Sequence, residues 1–308
     1  MSSGFDDLKN APVVFFCYNR LLHTQRTIEA LKNNTLASET DLVIYSDASK
    51  NDAHVDEVIA VRTYLKTISG FRSIKIILRQ ENMGLARSII DGVSTIVREC
   101  GQVIVMEDDL VTSPYFLQFM NDGLRHYEMN KEVASIHGYV YPINNLPETF
   151  FMRGADCWGW ATWCDRWQMF EPDGEILLAE LMRKKLTHYF DLNGAYPFTQ
   201  MLRDQISGKN NSWAIRWHAS VFLNKKFTLY PGKSLVLNIG NDNSGTHSGN
   251  TDAFSSDVSA TAIAVRVMPV EEDAFALHAF GRYFKKQRGG LIGGVKRLLS
   301  RALNEFFR

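Results

Sequence analysis

Three consecutive acids, Glu107-Asp108-Asp109, close the apolar run Val103-Ile104-Val105-Met106. Such a run reads as a buried strand, and a buried strand does not end in adjacent charges without cause. Carboxylates this close repel one another unless a cation shares them. Mg²⁺ and Mn²⁺ take carboxylate, water and phosphate oxygens as ligands. In open α/β sheets, ligands gather beyond the carboxyl ends of the strands, where these acids fall. The pattern predicts a Mn²⁺ or Mg²⁺ site that holds a phosphate-bearing substrate; the alternative is a solvated acidic turn.

The elements that would position these acids alternate between strand-like and helical patterns. Strands are expected over 13–18, 42–46, 74–78 and 103–106, with helices over 22–33, 56–68 and 85–98 between them. That rhythm predicts an α/β fold, a Rossmann-like mixed sheet with helices on both faces. The first strand runs into Cys17-Tyr18-Asn19-Arg20-Leu21-Leu22, which has no glycine-rich fingerprint and argues against nicotinamide or P-loop binding.

Beyond the acids the chain becomes aromatic. All six tryptophans lie between Trp158 and Trp217. Trp158, Trp160 and Trp213 are candidate platforms for a sugar ring, because an aromatic face covers the apolar C–H side of a pyranose; the competing role is core packing. A helix over 213–224 leads to short strands at 228–231 and 234–237. A loop from 238 to 249, rich in Gly, Asn and Ser, then carries His247.

The 308-residue chain is 45% hydrophobic and has zero formal net charge, as in ordinary soluble proteins. Its four scattered cysteines fit neither a disulfide framework nor a zinc site, and suggest a reducing compartment. No signal-like N-terminus and no apolar stretch of the ~18 residues needed for a membrane span is present, so a cytoplasmic protein is expected. The segment 281–308 holds Arg282, Lys285, Lys286, Arg288, Lys296, Arg297, Arg301 and Arg308 against Glu305 alone. Apolar residues from Leu291 to Phe307 recur there at helical spacing. A basic amphipathic helix is predicted, suited to an anionic membrane surface on the inner face of the plasma membrane. Nucleic acid is not expected as a partner.

These features together resemble the GT-A glycosyltransferases, and within them the inverting N-acetylglucosaminyltransferase I type and bacterial family 2-like sugar transferases. The similarity spans about 12–249 and rests on Val13 to Arg20, Val43-Ile44-Tyr45-Ser46-Asp47, Glu107-Asp108-Asp109 and Gly245-Thr246-His247-Ser248-Gly249. The resemblance implies a catalytic domain over 1–265, with a nucleotide-sugar half to about residue 110 and an acceptor half over 111–265. The tail would then cover 266–308. It implies Asp109 as the direct metal ligand with His247 as a metal or phosphate partner. Glu107 and Asp108 would contact ribose, sugar or metal-bound water, Arg20 the phosphates, and Asp47 the uracil edge. Asn82, Gly84 and Arg87 sit at a turn into the third helix, whose N-terminus favours an anion.

Inverting transfer needs a carboxylate base. In the family it precedes a tryptophan that opens a helix, yet this chain has Asn211-Ser212-Trp213 there. Asp204 is the preferred replacement and Asp156 the second. The expectation is a metal-dependent transfer of a sugar from a nucleotide donor, UDP-linked, to a glycan hydroxyl in bacterial surface polysaccharide assembly, with a lipid-linked acceptor. A nucleotidyltransferase acting on sugar phosphates and a non-catalytic carbohydrate-binding protein are the alternatives.

Overall fold

The computed structural model describes residues 9–240 and 254–287. The first βα units form as the alternation predicts: β1 (Val13–Cys17), α1 (Leu21–Lys32), β2 (Asp41–Ser46), α2 (Val55–Leu65), β3 (Ser73–Leu78), α3 (Gly84–Cys100) and β4 (Gln102–Glu107). They are followed by β5 (Leu110–Thr112), α4 (Phe116–Tyr127), β6 (Val133–His137), β7 (Thr149–Arg153) and β8 (Trp160–Trp163). The chain continues through α5 (Cys164–Trp167), α6 (Gly174–Arg183), α7 (Thr187–Phe190), α8 (Phe198–Ile206) and α9 (Trp213–Leu223). Then come β9 (Phe227–Pro231), β10 (Val236–Asn238) and a helix over 274–287, α10.

Eight strands make one sheet in the order β3-β2-β1-β4-β8-β6-β9-β7. The first four are parallel, and β8 enters antiparallel to both β4 and β6. The sheet thus runs unbroken across the expected division near residue 110. Alternation along β1 shows how both faces are covered. Val13, Phe15 and Cys17 point to one side, packed with Ile28 and Leu31 of α1, Val61 and Leu65 of α2, and Leu117 and Leu124 of α4. Val14 and Phe16 point to the other, against Ile89, Val93 and Ile96 of α3 and Trp217 of α9. A strand with apolar residues on both faces must be sandwiched, which is why β1 lies near the middle of the sheet.

Arg166 illustrates how a buried charge is accommodated here. It is 2% exposed. Its guanidinium donates to the carbonyls of Tyr127, Asn130 and Val133 at 3.1, 3.3 and 3.3 Å, occupying carbonyls around the C-terminal end of α4.

The C-terminal expectation is met only in part. α10 packs Ala276, Phe280 and Phe284 against Phe150, Met152 and Tyr230, while His278, Arg282, Lys285 and Lys286 are exposed. The predicted stripe from Leu291 to Phe307 lies outside the described residues. No helix among the described residues is long and apolar enough to cross a membrane.

Candidate active site

Parallel pairing of β1 with β4 brings their carboxyl ends together, matching Phe16 with Glu107. Arg20, just before α1, therefore reaches the acids. Its Nη2 donates to Asp109 at 2.9 Å and also to Asp108. Arg20 Nη1 is buried and has no hydrogen-bond partner among the described residues. Thr27 of α1 donates to the Asp108 carbonyl at 2.8 Å, fixing the turn from behind.

One guanidinium does not neutralise three carboxylates. Burial first, then the charges of Asp109 and Asp108, pushes the Glu107 carboxyl up to about 8. Burial also raises Asp108, to about 6, against the opposing pull of Arg20. Such surplus negative charge fits a cation. Among the described residues no group of three or more His, Cys, Asp and Glu side chains is arranged to hold a metal. Magnesium-like ions commonly use one or two carboxylates and complete their shell with water and substrate phosphates, so the pair Asp108 and Asp109 would fit one. The orphaned Nη1 of Arg20 is a further donor for an anion. His247, the other expected ligand, lies outside the described residues.

The β5–β10 ladder folds the later chain onto this corner, and Ile239 N–H donates to the Asp109 carbonyl at 2.8 Å. Gly240 then abuts the carboxylate so closely that a Cβ there would collide with Asp109 Oδ2.

Asp47, at the end of β2, is 6% exposed. Its carboxylate accepts the backbone N–H groups of Ala48, Met83 and Gly84 at 3.0, 2.9 and 2.8 Å. Asn82 donates to the Ala48 carbonyl at 2.7 Å. Asp47, Asn82 and Gly84 therefore stitch the β2 end to the N-terminus of α3. Arg87 is exposed in the first turn of that helix.

The tryptophans separate sharply. Trp160 and Trp213 are 0% and 3% exposed, stacked at 5.4 Å between ring centroids in one cluster with Trp167 and Trp217. This corrects the platform role expected of those two: a buried ring cannot cover a sugar. Trp158 alone is partly exposed, edge-on to Tyr139 at 4.6 Å and Phe254 at 6.0 Å.

The antiparallel β4–β8 register pairs Val105 with Trp160, so the loop entering β8 arrives beside the acids. Electrostatics agree, because the Cys157 thiol is pushed well up by burial and then by the charges of Asp156, Glu107 and Asp109. Asp156 is thus brought to the acids. Asp204 is not: its carboxylate is taken up by Gln200 and Lys209 at 3.0 and 3.3 Å. Phe198, at the start of α8, packs on Tyr196 and His218 near Asp156; Asp204 lies six residues on, ~9 Å along the helix at 1.5 Å per residue.

What sequence reading missed is the ring around Asp156: Tyr139, Tyr141, Tyr196 and Tyr230 are all raised by burial and further by its charge. Those tyrosines are far apart in the chain, and only the β6–β9 pairing and the packing of α10 gather them.

Comparison with known proteins gives a match of residues 13–154 to the family model described as glycosyl transferase family 2. A search of curated proteins finds no match. Among solved structures, the chain is similar to a mannosyltransferase from Pyrobaculum calidifontis in complex with GDP-Man and Mn²⁺, at 16% identity and a TM-score of 0.32, covering 43% of this chain and 35% of that one. Similarity to S. aureus TarS is 14% in identity with a TM-score of 0.32, over 47% of this chain and 24% of that one. A glucosyl-3-phosphoglycerate synthase from Mycobacterium tuberculosis, in complex with Mn²⁺, UDP-glucose and phosphoglyceric acid, matches at 10% identity and a TM-score of 0.31, over 53% and 58%. The chain spans about a third and a quarter of the first two proteins, and scores this low carry no argument about activity. The family match, by contrast, begins at β1 and includes the acid triplet, so residues 13–154 are similar to glycosyl transferase family 2.

Proposed function

We propose that the protein is a metal-dependent, inverting glycosyltransferase that moves a sugar from a UDP-linked donor to a glycan hydroxyl. One observation carries this reading: an acid triplet with surplus charge sits at the β4 end, beside Arg20 on one flank and the Asp156 loop on the other. Asp108 and Asp109 would hold a Mn²⁺ or Mg²⁺ ion, which when bound acts as a Lewis acid on the leaving diphosphate. Arg20 turns its spare Nη1 to the same phosphates and stabilises charge as it develops on the leaving group. Trp158, partly exposed, offers an aromatic ring against which a sugar can lie.

The exposed cations of α10, continued by the basic segment after it, support an acceptor that is lipid-linked and presented at an anionic bilayer. Surface polysaccharide assembly is the setting that chemistry suits, with the protein peripheral on the inner face of a bacterial membrane.

The test is a thermal-shift panel of UDP-sugars with and without Mn²⁺. A Mn²⁺-dependent rise in melting temperature is expected with at least one donor, and Asp109→Ala should lose it while melting normally on its own. A donor response that ignores both Mn²⁺ and the substitution would refute the metal role.

A further inference from the structure

The position where a base is expected is already committed to structure. Ser212 caps α9, its Oγ accepting the Ile215 N–H at 3.2 Å, and its neighbour Asn211 is no proton acceptor of carboxylate strength. The loop carrying Asp156 is instead held on both sides by histidines from two other elements. His218 of α9 sets Nδ1 2.7 Å from the Ala155 carbonyl oxygen and 3.2 Å from the Ala155 N–H, so its ring pairs with the Ala155 backbone in either tautomer. The fit is tight, since a Cβ on Gly154, whose φ is +94°, would lie 2.5 Å from His218 Cε1. On the far side, His137 at the end of β6 accepts the Trp158 N–H at Nε2, 3.1 Å away.

Between these two anchors the carboxylate itself is oriented. Asp156 Oδ1 accepts the Cys157 N–H at 2.8 Å, while Oδ2 is reached by the Tyr141 hydroxyl at 3.5 Å. One oxygen is therefore fixed by backbone and the other is held more weakly. Asp156 is partly exposed, as an acceptor hydroxyl requires. Burial holds both histidines below their ordinary range and hence neutral, the form in which His137 can accept a hydrogen bond.

We infer that Asp156 is the base that takes the proton from the acceptor hydroxyl, and that His137 and His218 are positioning residues that fix its loop. The inference rests on the sugar-transferase reading. In the step it describes, the acceptor oxygen bonds to the anomeric carbon and its proton passes to Asp156 Oδ2. The bond from that carbon to the phosphate oxygen breaks, and its electron pair leaves with the nucleoside diphosphate.

The experiment measures UDP release from UDP-glucose, UDP-galactose and UDP-N-acetylglucosamine with Mn²⁺ and a panel of alkyl glycosides, alongside the UDP-dependent melting shift. Asp156→Asn should lower turnover about 10²- to 10⁴-fold with the melting shift unchanged. Added formate should restore part of the turnover of Asp156→Ala, because a small carboxylate can occupy the gap. His218→Leu and His137→Leu should lower kcat roughly 10- to 100-fold with donor KM unchanged, as displacement of a reacting group does. His218→Asn, which keeps an amide able to bond the Ala155 backbone, and His137→Gln, which keeps an acceptor near Nε2, should recover most of it. Normal turnover by Asp156→Asn, or no formate response, overturns the base assignment. Histidine variants that raise donor KM instead of lowering kcat overturn the positioning role. Absence of any Mn²⁺-dependent UDP response in the wild type would instead refute the transferase reading beneath it.

Discussion

Two aromatic groups, built from neighbouring residues, have opposite fates. Trp160, Trp167, Trp213 and Trp217 are buried between the sheet and helices α3, α5 and α9, where they act as core. Trp158, two residues before Trp160, joins Tyr139, Tyr141 and Phe254 around a partly exposed carboxylate. Residue type is the same in both. What differs is position relative to the strand: Trp160 is inside β8, paired with Val105, whereas Trp158 precedes the strand and stands where β4 has already become acidic. Aromatic richness alone does not mark a sugar site; position relative to the strand decides which ring stays accessible to one.

The largest effect that would break this contrast is on stability. Trp217→Ala should cost about 3–5 kcal/mol, the usual range for truncating a buried large aromatic, as read by denaturant unfolding. Trp158→Ala should cost much less and should lower sugar transfer. Equal destabilisation by both would erase the distinction between core and site.

The acid corner gives the next effect. A carboxyl whose folded pKa is raised favours folding below the ordinary carboxylate range, and that contribution is lost as pH rises through the folded value. For Asp108 and Glu107 the loss falls around about 6 and about 8. The melting temperature without divalent ions should therefore fall between pH 5 and pH 8.5 by calorimetry. Glu107→Gln should flatten the decline, and Mn²⁺ should recover part of it at the alkaline end.

Smaller effects test the donor side. Asp47→Ala removes the acceptor of two N–H groups at the start of α3 and should cost about 1 kcal/mol, as loss of a helix cap does. If Asp47 serves only as this clamp, UDP and GDP should be weakened equally; a selective loss of UDP would assign it to the uracil edge. Asp204→Ala should change stability by less than about 0.5 kcal/mol and leave turnover intact, because its partners are surface side chains.

The donor half was legible in the chain because each of its elements announces itself locally. Buried parallel strands such as Val13–Cys17 are continuous apolar runs, and α3 repeats Ile89, Val93 and Ile96 at helical spacing. The acids were legible for the same reason, standing directly after such a run. The acceptor half was not, since its strands are short, enter in antiparallel order and pair with partners far along the chain. Asp156 has no distinctive local context; its standing comes from β8 lying next to β4. His137 and His218, 81 positions apart by number, meet only through backbone atoms of one loop. The expected pocket role of Trp160 failed because spacing of two residues places a side chain on a sheet face without saying whether that face is covered.

The adjacency of β4 and β8 has a mechanical meaning. Under the proposed reaction, the groups that would grip the departing diphosphate and the carboxylate that would receive the incoming proton are extensions of one hydrogen-bonded strand pair. Their spacing is set when the chain folds, so encounter with substrates has little reorganisation left to drive, and the cost of aligning the two ends of the reaction is borne by the scaffold in advance.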